Sequence, residues 1–206
     1  MTKISETGYG VDVAATRADD LDKQLLAFVK QHPGCRVLDL GCGAGGAATR
    51  LVAAGAQVTG IDQFNFGEAW SHVQGPAQFI QGDIREFQAL TKGQTFDVCV
   101  LQRGVHYLPY DAAKALLRDL LGTVDSLYIS FSGLTSELGA MYQAAQQPVS
   151  KRFCQLPQVA QETFGIEAPL CLYAESEVVV LLKSAGWHIE WLRTSDFGNV
   201  KVIAKK

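Results

Sequence analysis

The run Val37–Gly45, VLDLGCGAG, constrains this chain more than any other stretch. Val37, Leu38 and Leu40 are an apolar run of the kind that forms a strand buried on both faces. Asp39 interrupts it near its end. Gly41, Gly43, Gly45 and Gly46 follow, and Ala47–Ala54 (AATRLVAA) reads as a helix. Strand, glycine turn and helix make one unit. Lacking a Cβ, glycine reaches positive φ and lets a ligand lie against bare backbone. The helix N-terminus behind the turn offers unpaired N–H groups and a partial positive charge, which suits a carboxylate or a phosphate. Gly41, Gly43 and Gly46 also satisfy the dinucleotide pattern G-x-G-x-x-G, so the loop by itself leaves the ligand open.

Later strand ends add chemistry. Gln57–Asp62 (QVTGID) reads as a second strand with Asp62 at its carboxyl end. A carboxylate there can accept two hydrogen bonds from the vicinal hydroxyls of a ribose, and the alternative is a capping aspartate. Gln78–Gln81 is a third strand, followed by Gly82-Asp83-Ile84, where Asp83 also suits a hydrogen-bonded turn. Thr95–Gln102 is a fourth, with Asp97 as a structural residue near its start. Gln102-Arg103-Gly104-Val105-His106-Tyr107-Leu108 leaves its carboxyl end, the edge where open α/β sheets bind ligands. His106 is the general-base candidate, since an unperturbed imidazole titrates at about 6.5, and local packing is the alternative.

Asp39, Gly41, Gly43 and Gly45, with Asp62 and Asp83 at successive strand ends, resemble the motifs of the class I S-adenosylmethionine-dependent methyltransferases. The resemblance implies an α/β, doubly wound, mostly parallel seven-strand sheet in the order 3-2-1-4-5-7-6. Its C-terminal strand is antiparallel, with helices on both faces. It implies S-adenosylmethionine as cofactor, S-adenosylhomocysteine as product, and an in-line displacement onto O, N or C. The cofactor residues it implies are Asp39, Gly41, Cys42, Gly43, Gly45, Asp62, Gln63, Asp83, Ile84 and Gln102. Within that set Asp83 takes the adenine amino group and the Ile84 N–H meets a ring nitrogen. Arg103, His106 and Tyr107 are the catalytic candidates. Gln63–Gly75 departs from the commoner pattern: it is aromatic (Phe64, Phe66, Trp70), with one ring a candidate cover for the adenine or the pocket mouth and core packing the alternative.

The flanking chain completes the expected domain. Met1–Thr16 reads as a loose arm. Ala18–Lys30 is a helix with Leu21, Leu25, Phe28 and Val29 on one face and Asp19, Asp20 and Asp22 in the first turn, where they complement the dipole. Residues 1–33 would cap the site, with Tyr9 and Arg17 in reach of substrate, or pack as a surface tail. A helix at Asp111–Leu121 and a strand at Ser126–Ser132 follow. Residues 134–174 are an insertion longer than an ordinary loop, expected as a lid with helices at Thr135–Gln146 and Leu156–Phe164. Its candidate ligand contacts are Tyr142, Lys151, Arg152, Phe153 and Tyr173, and surface elaboration or a dimer contact is the alternative. Glu175–Ala185 with Gly186-Trp187 reads as a helix and its stop. His188–Ser195 and Val200–Lys206 read as a hairpin that yields the antiparallel last strand.

Composition narrows the acceptor. The chain has 206 residues, 48% hydrophobic and 19% charged, with net charge −3, which does not attract polyanions. Gln102-Arg103-Gly104-Val105 stands where amino-methylating nucleic-acid enzymes carry [DN]-P-P-[FYW], and no Pro-Cys or acidic cluster follows that strand. A small-molecule acceptor is expected, with no membrane or nucleic-acid partner and no metal. Three alternatives stay open: a macromolecular acceptor, a non-catalytic cofactor-binding subunit, and a nicotinamide oxidoreductase. The five cysteines show no C-x-x-C spacing and read as reduced thiols. With no apolar run of membrane-spanning length and no signal-like N-terminus, a cytoplasmic location is expected.

Overall fold

The computed structural model describes Tyr9 and residues 19–206; the rest of the expected N-terminal arm, Arg17 and Ala18 lie outside the described residues. Helix α1 (Asp20–Gln31) begins on Asp19, whose side chain accepts from the Asp22 N–H at 2.9 Å. Strand β1 (Arg36–Leu40), helix α2 (Gly46–Ala53) and strand β2 (Gln57–Asp62) follow as expected. The aromatic segment holds only a single helical turn, α3 (Gly67–Trp70), before β3 (Ala77–Gln81). Next come α4 (Phe87–Leu90), β4 (Phe96–Gln102), α5 (Tyr110–Leu121) and β5 (Val124–Phe131). Short helices α6 (Glu137–Ala140) and α7 (Gln158–Phe164) lie in the insertion, and α8 (Glu175–Ala185), β6 (His188–Thr194) and β7 (Val200–Lys205) close the chain.

Among the described residues the strands form a seven-stranded sheet in the order β3-β2-β1-β4-β5-β7-β6. β1 pairs in parallel with β2 and β4, β5 in parallel with β4, and β7 antiparallel with β5 and β6. The expected order and the antiparallel last strand are therefore present.

Strand alternation divides the apolar residues between two cores. Leu38, Leu40, Cys99, Leu101, Leu127 and Ile129 face α5 and α8. Val37, Val98, Val100 and Tyr128 face α1 and α2. α8 stops as its Gly186 predicts, with φ +103° and the Trp187 N–H donating to Leu182 O at 3.0 Å. The Trp187 indole N–H reaches across to Leu117 O at 2.8 Å, fixing α8 to α5.

The insertion is more compact and less helical than expected. Its own small core is built on Tyr142, Leu156, Ala160, Leu170 and Leu172. The chain leaves α6 at Met141 and Tyr142 turns inward, where its hydroxyl lies against the carbonyls of Arg152 and Leu170 (2.8 Å to the latter), with its one proton shared between them. α7 starts after Pro157, which has no N–H to give to a preceding turn. Arg152, 4% exposed, spends all five of its N–H groups inside the protein. Nε and Nη2 donate to Gln147 O (3.1 and 2.8 Å), Nη1 donates to Leu172 O (2.9 Å), and both Nη atoms grip the Glu177 carboxylate (2.6 and 2.9 Å). Arg152, Tyr142 and the fully buried Tyr173 are thus framework residues of the insertion, correcting their expected place as ligand contacts.

Arg152→Ala removes the donors to the carbonyls of Gln147 and Leu172 and to the half-buried Glu177 carboxylate. It is expected to cost about 1.5–3 kcal/mol of unfolding free energy, read as a lowered urea midpoint. A variant with an unchanged midpoint would remove the clasp from the framework.

Candidate active site

The carboxyl ends of β1, β2, β3 and β4 bring most of the expected residues to one edge. The glycine loop leaves β1 with Gly41, Gly43 and Gly45 at φ +70°, +52° and +81°, a left-handed series only glycine adopts without strain. Gly41 N–H donates to Ile61 O at 2.8 Å, keeping the loop on β2. A Cβ placed on Gly41 would meet nothing nearer than Gly104 Cα at 3.9 Å, so the loops after β1 and β4 face each other as bare backbone. Asp39, 4% exposed, closes the strand below the loop and helps raise the thiols of Cys42 and Cys99, which burial chiefly raises.

Asp62 joins β2 to the loop. One carboxylate oxygen accepts from the Gly43 N–H and the other from the Phe64 N–H, both at 3.0 Å. Each oxygen keeps a second lone pair. Burial raises the Asp62 carboxyl, against the N–H groups of Phe64, Gly43 and Gln63, which favour the ionised form. Gln63 is exposed, and its carbonyl accepts from the Gln81 side chain at 3.2 Å. Asp83 ends β3 as a turn aspartate: it accepts from the Arg85 N–H at 2.9 Å and forms a salt bridge with the Arg85 guanidinium, which holds its carboxyl below the usual range. Half-buried Ile84 follows it.

The loop is propped from beneath by Trp70, which takes the packing role of the two that the aromatic segment offered. The Trp70 indole N–H donates to Gly43 O at 3.0 Å. Its ring lies where a Cβ on Gly60 would be, 2.3 Å from two ring carbons. An isolated glycine inside a strand marks a close approach of this sort, and Gly60 was the available signal.

Beyond β4 the residues take different roles. Gln102 Nε2 donates to Asp22 Oδ1 at 2.8 Å, and Arg50 Nη2 stands 3.6 Å from the same oxygen. Asp22, 2% exposed, therefore ties α1 to the β4 edge as well as standing in the first turn of the helix. Arg103 is exposed and left-handed at φ +52°, and its N–H donates to both the carbonyl and the hydroxyl of Ser130 at 3.1 Å. A non-glycine residue held there carries strain that the surroundings must enforce. His106 is 3% exposed, with Nδ1 3.3 Å from Ser132 Oγ and its carbonyl accepting from the Cys171 N–H at 2.8 Å. Burial, and to a lesser degree the charge of Arg103, pushes the imidazole down to about 3.

Aromatic rings gather on the same edge. Tyr9 lies 5.2 Å from Phe64 and 4.7 Å from Tyr107 between ring centroids, and Tyr107 lies 4.2 Å from His106. Phe66 packs instead with the core that holds Trp70. A groove of about 690 Å³ between α8 and β6 is at the opposite, amino edge, and its lining (Val179, Lys183, Trp187, Ile189, Leu192) includes none of these residues.

This donor set suits an adenosyl ligand. A carboxylate with two lone pairs left stands beside a loop that presents only backbone, in reach of the end of β3. Asp83 fits less completely, because Arg85 already engages both of its oxygens.

Residues 37–125, from β1 into β5, match the family model described as a methyltransferase domain. The chain is 33% identical over 105 residues to a cypemycin N-terminal methyltransferase of a Streptomyces species, an alignment covering 47% of this chain and 41% of that protein. The match spans less than half of that relative's length. A SAM-dependent methyltransferase structure from Methanosarcina mazei superposes with TM-score 0.66 at 21% identity, covering 88% of this chain and 96% of the other. Magnesium protoporphyrin IX methyltransferase of Synechocystis, solved with S-adenosylhomocysteine, superposes with TM-score 0.64 at 17% identity, covering 97% and 91%. These two superpositions bear on the fold.

Because the folded His106 resists protonation, the unfolded chain binds more protons between about pH 6.5 and 3, and stability falls as pH drops through that window. His106→Gln is expected to remove roughly 2 kcal/mol of the wild-type loss between pH 7.5 and 5. Urea melts of both proteins at the two pH values measure it; identical losses would mean that the imidazole is not held neutral.

Proposed function

We propose that this chain, whose residues 37–125 belong to the methyltransferase-domain family and whose sheet has the class I order, binds S-adenosylmethionine and methylates a small molecule. The observation that carries the reading is the Asp62 carboxylate, hydrogen-bonded to Gly43 of the glycine loop and still able to accept from two hydroxyls.

Each residue then has a task. Asp62 takes the ribose hydroxyls. Gly41, Cys42, Gly43 and Gly45 present backbone to the methionine portion, and Asp39 holds that loop to β1. Ile84 supplies backbone to the adenine. Asp83 reaches its amino group only while sharing its lone pairs with Arg85. Gln102 fixes α1 over the edge through Asp22. When bound, the sulfonium supplies an electrophilic methyl group: the acceptor's lone pair forms the new bond to carbon, the sulfur–carbon pair stays on sulfur as S-adenosylhomocysteine, and the acceptor's proton is released.

His106 is neutral at pH 7 and accepts a hydrogen bond from the acceptor's nucleophile. So weak a base orients an O–H or N–H more than it ionises one, a smaller role than the general base expected from sequence. Catalysis then rests mainly on holding nucleophile and methyl group in line. The insertion, bonded through Cys171 to His106 and through Tyr173 N–H to Ser132 O (3.2 Å), serves as the roof of the acceptor space. No helix among the described residues is long and apolar enough to cross a membrane. With all five cysteines free, a cytoplasmic setting fits.

Calorimetric titration with S-adenosylmethionine, S-adenosylhomocysteine and NAD tests the reading. Micromolar binding of the two adenosyl sulfur compounds and none of NAD is expected; NAD binding alone would overturn it. Asp62→Ala should weaken S-adenosylhomocysteine binding by about 1.5–3 kcal/mol, and unchanged affinity in a folded variant would remove Asp62 from the site.

A further inference from the structure

Two serines at the carboxyl end of β5 receive the chain that leaves β4. Ser130 and Ser132 are two residues apart, so the alternation of an extended backbone puts their side chains on one side. Ser130 Oγ accepts from the Arg103 N–H at 3.1 Å, and Ser132 Oγ lies 3.3 Å from His106 Nδ1. Both serines and the histidine are buried. Their backbones are fixed as well. Cys171 N–H donates to His106 O at 2.8 Å and Tyr173 N–H to Ser132 O at 3.2 Å, so one stretch of the insertion holds both residues. The turn that carries the histidine is closed by the Tyr107 N–H on Gly104 O at 3.1 Å and anchored by the fully buried Val105.

A neutral imidazole carries one N–H, and the hydrogen bond made by one ring nitrogen decides which nitrogen holds it. With the proton on Nε2, the only donor of a buried ring would turn away from Ser132. With the proton on Nδ1, that donor is met by Ser132 Oγ, and the hydroxyl rotates to turn its own proton elsewhere. An unmet buried N–H is the rarer arrangement, since a bare acceptor is better tolerated. We propose that Ser132 is a positioning residue: its Oγ accepts from His106 Nδ1–H and so keeps the Nε2 lone pair free of a proton. The proposal rests on the methyltransferase reading of this edge. A bare Nε2 can accept a hydrogen bond from the methyl acceptor's nucleophile, the part given to His106 above, whereas a protonated Nε2 repels that hydrogen. Burial already keeps the ring neutral, so the tautomer is what is left for a neighbour to set.

Nitrogen–proton correlation spectra of the full chain at neutral pH read the tautomer of each histidine. His32, His72 and His188 are exposed, and His106→Gln identifies the signals of the buried fourth. In the wild type the proton of His106 is expected on Nδ1. In Ser132→Ala it is expected to move to Nε2, the tautomer histidine favours in water, and Ser132→Thr, which keeps the hydroxyl, should return it to Nδ1. A wild-type His106 protonated on Nε2, or an Nδ1–H that persists in folded Ser132→Ala, overturns the proposal. If Ser132→Ala does not fold, the wild-type spectrum and Ser132→Thr still decide. Calorimetry with S-adenosylhomocysteine on the wild-type sample separates the two readings. Binding beside an Nε2–H histidine overturns the role of Ser132 alone; no binding beside an Nδ1–H histidine overturns the methyltransferase reading and leaves the Ser132–His106 hydrogen bond standing.

Discussion

The site exists because β1 and β4 are neighbours whose outgoing chains part company. From β1 the chain crosses to β2 and then β3 on one side; from β4 it crosses to β5 on the other. α2 covers the face that holds Val37, and α5 covers the face that holds Leu38. The loops that feed these helices leave the carboxyl edge in opposite directions and open a crevice between them. Every expected cofactor residue except those after β3 lies on β1, β2, β4 or the loops that follow them. With Gly41 and Gly104 at its two lips, the crevice is bounded by backbone.

An open crevice lined by glycine is flexible unless something holds it. Three contacts do so here. Trp70 fills the space under the loop that Gly60 leaves and hydrogen-bonds to Gly43 O. Asp62 takes the Gly43 N–H from the other side, so the two polar groups of that one peptide region are fixed before any ligand arrives. Asp22 pins α1 across the β4 end through Gln102, while Arg50 donates to Gly46 O at 3.0 Å beside it. Ordering the site in advance lowers what binding must spend on ordering it.

The strands and the glycine loop were legible in the sequence because their signals are local: apolar runs of five to seven residues, and glycines where positive φ is needed. The hairpin and its antiparallel strand were legible for the same reason. What was not legible depends on contacts between distant residues. Asp22 reads as a dipole-complementing aspartate until Gln102, far along the chain, is brought to its carboxylate. Arg152 reads as a candidate ligand contact until Gln147, Leu172 and Glu177 surround it. His106 was recognisable as a candidate by its position after β4, but its burial and the direction of its titration depend on Ser132, Arg103 and the return of the insertion at Cys171. Trp70 was visible as one of three aromatics, without any means to tell which ring supports the loop and which faces the mouth.

The insertion links stability to chemistry. A lid that opens needs ends free to turn, and these ends are not free. Leu134 N–H donates to Tyr173 O at 3.0 Å and Tyr173 N–H returns to Ser132 O, so the stem is closed on itself at β5. Cys154 and Leu170 exchange two further backbone hydrogen bonds, and Arg152 locks the interior to α8. The same return strand holds the His106 carbonyl. An insertion so fixed acts as a wall beside His106, with Tyr107 packed against its core.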